Sequence, residues 1–319
     1  MEELKIIRGK APLRVTFAGG GTDLNYFFEQ HGGLIISSTI DKYCHMSLSR
    51  RDDKKMFVNK KELDKQKEHI VREVVDYLAI DFGFDLTYYN DVAPGSGLGN
   101  SSAAIVLLVT LLSEIQNKKY DDNHLVEIAF EIEKSLGEGG WQDQFSSVYG
   151  GFNLMEFDKE KKTIYPIRLK YRTICELEEH LILYELEQKH KSSSIQEEQI
   201  KHIKNTPESL IKLLEVKEIA RDIKNALLNN KVSEIGILLD KAWELKRNKV
   251  ITNETIDRTY EIAKENGAIG GKLLGAGQGG HILFFCKPED RVELINKLEL
   301  MDGKVTPFHF WIQGVETWY

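Results

Sequence analysis

The stretch APGSGLGNSSAA, residues 93–104, decides the reading of this 319-residue chain. It stands between FDLTYYNDV, which reads as a strand, and AAIVLLVTLLSEI, apolar and long enough for a buried helix. Glycine lacks a Cβ, so the backbone at Gly95, Gly97 and Gly99 can wrap closely around an anion. A helix starting immediately afterwards turns unpaired N–H groups and the positive end of its dipole toward that anion. Ser101 and Ser102, in the first turn, add hydroxyls that can hydrogen-bond a phosphate or ligate Mg2+. The segment reads as a cradle for the phosphates of a nucleotide.

Two more glycine-dense segments stand far from it in sequence, APLRVTFAGGGTD (11–23) and GGKLLGAGQGG (270–280). In the last of these, Gly275-Ala276-Gly277-Gln278-Gly279-Gly280 satisfies G-x-G-x-x-G, the dinucleotide-binding pattern, which requires a strand before it and a helix after it. The β-rich run HILFFC follows instead, which opposes a nicotinamide oxidoreductase. A Walker-type loop fails as well, because Leu273 stands where Ser or Thr must follow Lys272, and Asn266 where the first glycine belongs.

Composition narrows the class. With 41% apolar and 29% charged residues the chain is ordinary globular protein, and its net charge of −7 argues against nucleic acid as a partner. Cys44, Cys175 and Cys286 suit neither a disulfide framework nor a zinc site and point to a reducing cytoplasm. MEELKIIRGK lacks the apolar core of a signal peptide, and the run from Ala103 to Leu112 is too short to span a bilayer. A cytoplasmic protein with no membrane or nucleic-acid partner is expected, with a homodimer left open.

Along the chain, IIRGKAPLRVTFA reads as a strand and LIISSTIDKYCHMSLS as a pair of strands around a polar middle. KKELDKQKEHIVREVVDYLAIDF is helix-like and charged on one face. Asp121-Asp122-Asn123 caps the helix HLVEIAFEIEKSLG, and YGGFNLMEFD with KTIYPIRL reads as a hairpin. The character changes near residue 173, where a strand gives way to Lys/Glu-rich helices between 195 and 266. The tail PFHFWIQGVETWY reads as a strand pair bent at Gly314. Two domains are expected, 1–175 and 176–319.

Three charged residues stand out. At about 100° per residue, Leu125, Ile128, Ala129, Ile132 and Leu136 form one apolar helix face. Glu133 falls inside that face, between Ala129 and Val126. A carboxylate there either reaches water at the helix end or serves as a Mg2+ ligand facing the cradle. Asp143, in EGGWQDQFSSVYGG, reads as a loop residue, either a turn or cap aspartate or a proton acceptor. Arg14 lies in the β-rich run LRVTF, where a solvated arginine is not the default. A guanidinium beside a carboxylate favours its ionised, proton-accepting form, but spacing alone does not bring Arg14 to Asp143.

These segments, in this order, resemble the galactokinase–homoserine kinase–mevalonate kinase–phosphomevalonate kinase (GHMP) superfamily. Its three motifs match residues 11–23, 93–104 and 270–280, and its intervening Glu…Asp-Gln element matches 133–144. Arg14, Thr22 and Asp23 resemble the sugar kinases that phosphorylate an anomeric hydroxyl. Gly19-Gly20-Gly21, the wording PGSGLG and the element QDQ…GGFN resemble the D-glycero-D-manno-heptose 7-phosphate kinase branch.

The resemblance implies an α+β, two-domain fold: an N-terminal ATP-binding domain like domain 2 of ribosomal protein S5, and a ferredoxin-like C-terminal domain. It implies ATP and Mg2+ as cofactors and a sugar phosphate as acceptor. Pro94, Gly95, Ser96, Gly97, Leu98, Gly99, Asn100, Ser101 and Ser102 would bind ATP. Ser102 and Glu133 would hold Mg2+, Asp143 would accept the hydroxyl proton and Arg14 would orient it. Gly20, Gly21, Thr22, Asp23, Gly277 and Gln278 would meet the acceptor, with Gly275 and Gly279 supporting the phosphate loop. Where the branch carries an arginine, this chain has Lys191, in the run Lys189-His190-Lys191. A kinase for a free sugar of the fucose or galactose type, and a non-catalytic sensor of sugar and ATP, are the competing readings.

Overall fold

The computed structural model describes residues 6–63, 68–137, 139–187 and 192–319. The chain opens with β1 (Ile6–Ala18), whose first half alternates exposed and buried residues and whose second half is buried throughout. After the short helix α1 (Asn25–His31) comes β2 (Gly33–Arg51), a single strand of 19 residues. The sequence suggests two strands here because the middle is polar. Ser37, Ser38 and Thr39 are fully buried, but non-local partners satisfy this middle: Thr39 Oγ1 donates to the Trp311 carbonyl at 2.6 Å, and Ser37 Oγ lies 3.3 Å from Ser146 Oγ. With these groups satisfied, nothing forces the strand to break.

β2 organises the first sheet. It pairs antiparallel with β1 along nearly its whole length, with irregularities at Pro12/Leu13 and Thr16/Ala18. Its other edge takes two partners in turn, β6 (Phe152–Phe157) against residues 33–38 and β5 (Gly83–Asn90) against residues 44–51. The short strands β3 (Met56–Val58) and β4 (Lys61–Glu62) extend the β5 side, and β7 (Lys162–Pro166) forms the expected hairpin with β6. The charged helix expected over residues 60–82 shrinks to α2 (His69–Tyr77), since Lys61 and Glu62 pair with β3 and Ala79 has φ +51°.

α3 (Asn100–Ile115) packs over β1 and β2, with α4 (Asp122–Leu136) and α5 (Gln142–Tyr149) beside it. It is apolar on every side because it is buried on every side: Ser102 through Val109 are all buried. Asp121 caps α4 as the sequence indicates, accepting from His124 N at 2.9 Å.

The second half begins with α6 (Tyr171–His180) and builds an antiparallel sheet in the order β11-β8-β10-β9, from β8 (Leu181–Leu186), β9 (Ala268–Leu273), β10 (His281–Cys286) and β11 (Gly303–Val305). The helices α7 (Ser192–Asn205), α8 (Pro207–Leu228), α9 (Val232–Lys246), α10 (Glu254–Glu265) and α11 (Arg291–Leu298) complete it. Side chains alternate across a strand. Leu181, Leu183, Leu283 and Phe285 therefore join the core of the first sheet, while Ile182, Tyr184, Ile282 and Phe284 form a second core. The tail makes no strand pair of its own. Phe310 bridges to Ile40, and β12 (Glu316–Trp318) adds to the free edge of β1. Among the described residues no helix is long and apolar enough to cross a membrane.

Candidate active site

The cradle read from the sequence is present as a loop of alternating left-handed glycines, with φ of +79° at Gly95, +74° at Gly97 and +81° at Gly99. Such alternation turns successive N–H groups toward one side, forming an anion nest. Gly99 is the N-cap of α3 and no side chain caps the helix, so its first-turn N–H groups are left for a ligand. Behind the loop, His281 is inaccessible and burial lowers its pKa. Its Nδ1 lies 2.8 Å from the Ser96 carbonyl, which can only accept, so the neutral ring carries its proton on Nδ1.

The third glycine segment supports the second, backbone on backbone. A Cβ on Gly97 would sit 2.5 Å from the Leu274 carbonyl oxygen, and one on Gly275 would sit 2.5 Å from Gly97 Cα. Only glycine permits that approach.

Both carboxylates converge on this loop. Glu133, half-buried on α4, accepts a hydrogen bond from Ser102 Oγ at 2.7 Å and another from the Gln144 amide. Burial raises its pKa to about 7, the charge of Asp143 adds to the rise, and the two hydrogen bonds oppose it. Asp143 lies in the first turn of α5, on a helix where small neighbouring residues had suggested a loop. The helix is set by its apolar residues: Trp141 stacks on Phe130 with centroids 3.6 Å apart, and Phe145 and Val148 enter the core.

Arg14 ties these parts together. Its Nε and Nη2 donate to the two Asp143 oxygens at 2.7 and 2.9 Å, and its Nη1 donates to the Gly97 carbonyl at 2.5 Å. A Cβ on Gly99 would lie 3.2 Å from Asp143 Cγ. The aspartate therefore touches the phosphate loop and is held there in one orientation.

Asp23 lines the same cleft, 1% exposed, accepting from the backbone N–H groups of Gly21 and Gln142. Burial raises its pKa, and the charge of Asp143 adds to the effect. Two lysines from the second half of the chain enter here. Lys246 Nζ donates to the Gly20 carbonyl at 2.9 Å, and Lys272, 4% exposed, donates to the Thr16 carbonyl at 2.8 Å. Burial lowers both pKa values, that of Lys272 strongly, with Lys246 and Arg14 as further repelling charges. Among the described residues Lys272 has no carboxylate partner.

One cleft is thus lined by Arg14, Gly20, Gly21, Asp23, Gly95, Ser96, Gly97, Gly99, Asn100, Ser101, Ser102, Glu133, Asp143, Gly275, Gly277 and Gly279. The remaining expected residues are placed elsewhere. Leu98 is core and Pro94 is absent from the lining. Thr22 is buried and exchanges hydrogen bonds with the Leu34 backbone. Gln278 donates its amide to the carbonyls of Val250 and Thr252 and does not line the cleft. Lys189, His190 and Lys191 lie outside the described residues.

The sequence reading missed Lys246, Lys272, Gln142 and Gln199, whose amide bonds the Ala276 carbonyl. Lys272 carried a legible signal, a lysine inside the otherwise apolar strand GGKLL. Lys246 carried none, since a basic residue in a last helical turn is ordinary.

A phosphate nest, a carboxylate held by arginine beside it, and a second carboxylate bonded to a first-turn serine define a phosphotransferase site, and the chain belongs to the GHMP kinases. Residues 68–151 match the profile of the GHMP kinases N terminal domain, and residues 223–299 that of the GHMP kinases C terminal domain. The chain is 33% identical to the D-glycero-alpha-D-manno-heptose 7-phosphate kinase of Campylobacter jejuni, over 99% of both chains. Among solved structures it resembles a D-glycero-D-manno-heptose 1-phosphate kinase from Bacteriodes thetaiotaomicron, with a TM-score of 0.81, 29% identity, and coverage of 98% of this chain and 99% of that one. The galactokinase of Lactococcus lactis, 18% identical with a TM-score of 0.77 over 98% of this chain and 95% of that one, shares the fold. The expected α+β fold, with its N- and C-terminal GHMP kinase regions, is the one observed.

Proposed function

We propose that this kinase transfers the γ-phosphoryl group of ATP to the anomeric hydroxyl of a heptose 7-phosphate. The observation that carries the reading is the Arg14–Asp143 pair set against the phosphate loop, in a chain 33% identical over its length to a heptose 7-phosphate kinase. Each carboxylate oxygen has a second lone pair free of Arg14, so Asp143 can accept the proton of the attacking hydroxyl while the arginine holds it in place. An anomeric hydroxyl is more acidic than an ordinary alcohol, so this modest base suffices. Arg14 and Lys272 supply positive charge beside the moving phosphoryl group, and Asp23 receives sugar hydroxyls. Catalysis here is positioning and charge neutralisation, as is general for phosphoryl transfer.

The donor set suits Mg2+. No group of three or more His, Cys, Asp or Glu able to hold a metal occurs among the described residues, but Mg2+ on a nucleotide needs only one or two protein oxygens beside the phosphates. Glu133 and Ser102 offer a carboxylate and a hydroxyl in contact. When bound there, the ion neutralises charge between the phosphates. We place the reaction in the cytoplasm, where ATP is supplied, and divide the chain into an ATP-binding domain over 1–175 and a second domain over 176–319.

ADP release on a panel containing heptose 7-phosphate, the unphosphorylated heptose, fucose and galactose tests the reading. Fastest turnover on heptose 7-phosphate is expected; preference for a free sugar would replace the acceptor, and no turnover on any would favour a sensor. Asp143→Asn should lower kcat by about 10²–10⁴ with ATP binding retained. Near-normal turnover would remove Asp143 from the proton-accepting role.

A further inference from the structure

We propose that a second cleft, opening off the acceptor end of the first, receives the phosphate group that the acceptor already carries. This rests on the reading that the acceptor is a sugar phosphate. The second cleft shares Gly20, Gly21, Gln199 and Lys246 with the reaction cleft, and none of the phosphate loop. It therefore extends beyond the sugar, away from the transferred phosphoryl group. Its walls are the end of α7, the start of α8 and the segment after α9.

Beside the apolar Ile203, Leu213, Leu245 and Ile251, the charge of those walls has one sign. The chain carries a net charge of −7, yet no carboxylate is among the described residues lining this cleft. Two of its cations are already engaged. Arg247 pairs with Asp257 at 2.8 Å, and Lys246 donates to the Gly20 carbonyl. His202, Ser209 and Lys212 remain. Ser209 and Lys212 lie three residues apart on α8 and so share a helix face. Lys212 has no carboxylate within ion-pair distance among the described residues. α8 also begins at Pro207 with no side-chain cap, which sets the positive end of its dipole at the same wall, while Glu208 of its first turn stays outside the lining. An ammonium, a hydroxyl and an imidazole together match a phosphate dianion, which accepts charge-assisted hydrogen bonds from each. No bond forms or breaks here; the cleft sets which acceptors bind.

Steady-state kinetics of the full chain test this, using heptose 7-phosphate and the same heptose without its phosphate. Lys212 is exposed, so Lys212→Ala and Lys212→Glu will fold, and Lys241→Ala on α9 removes the same charge elsewhere. Lys212→Ala should raise KM for the phosphorylated sugar about tenfold, and Lys212→Glu should raise it further. KM for ATP should stay put, kcat should change much less than KM, and the preference over the unphosphorylated sugar should narrow. The cleft assignment is overturned if Lys212→Glu leaves that preference intact, or raises KM for both sugars equally. If the unaltered chain shows no preference for the phosphorylated sugar, the acceptor reading itself fails and takes this one with it.

Discussion

At the scale of single residues the site is a balance of charges that could not stand separately. Asp143, Asp23 and Glu133 face Arg14, Lys246 and Lys272 across one cleft. Glu133 shows what burial does to such a group: its pKa moves from the ordinary 4.5 to about 7. Between those values the unfolded chain has ionised this side chain while the folded protein still holds its proton. Stability of the ligand-free protein therefore falls as pH rises from about 4.5 to about 7, and this contribution levels off above. Glu133→Gln should flatten that part of the Tm–pH curve, and a curve unchanged in shape would contradict the assignment. The same variant should lose about 10²-fold or more in Mg2+-dependent turnover, because an amide is a poor ligand for a hard cation. Lys272 makes the complementary case. A buried ammonium near Arg14 and Lys246 is costly until an anion arrives. Lys272→Met should lower kcat about 10²-fold without lowering Tm, and a large loss of Tm would mark the lysine as structural.

Among the elements, the two glycine loops act as one. Gly97→Ala places a Cβ 2.5 Å from the Leu274 oxygen, and Gly275→Ala places one 2.5 Å from Gly97 Cα, both at positive φ. Each should cost about 1–3 kcal/mol of stability and raise KM for ATP, since the nest opens as the loops part. An unchanged KM for ATP in both would mean the nest does not hold the nucleotide. That the first loop precedes a helix, and that the helix is buried, is legible in the sequence because turn chemistry and apolar length are local. The position of Glu133 on α4 is legible for the same reason, through helical periodicity. What was not legible depends on distant partners. β2 reads as two strands until Trp311 and Ser146 are known to satisfy its polar middle. Asp143 reads as a loop residue until Trp141 is seen stacked on Phe130. Nothing local in Lys246 announces that it reaches Gly20, 226 residues away in sequence.

Across the whole molecule, three lysines among the described residues of the second half donate to carbonyls of the first. Lys272 reaches Thr16, Lys246 reaches Gly20, and Lys217 of α8 reaches His31 at 2.6 Å, at the carboxyl end of α1. The first two line the reaction cleft and the third does not. This sets a tie outside the cleft beside two of the same chemistry within it. Lys217→Met removes a charge-assisted bond at a helix C-terminus, a loss of about 1.5–3 kcal/mol. A ligand at a hundred times its Kd stabilises the folded state by about 2.7 kcal/mol, whatever the starting stability. Lys217→Met should therefore melt several degrees lower than the unaltered protein, yet gain the same increment from one fixed concentration of Mg2+–ATP and sugar phosphate, used for every variant. Lys272→Met should start near the unaltered Tm and gain less, because the anion-facing charge is gone. One core joins both sheets, so each protein should melt in a single transition and the increments can be compared directly. Scanning calorimetry with and without ligands reads both quantities. Equal increments for the two variants would mean that Lys272, like Lys217, only holds the halves together.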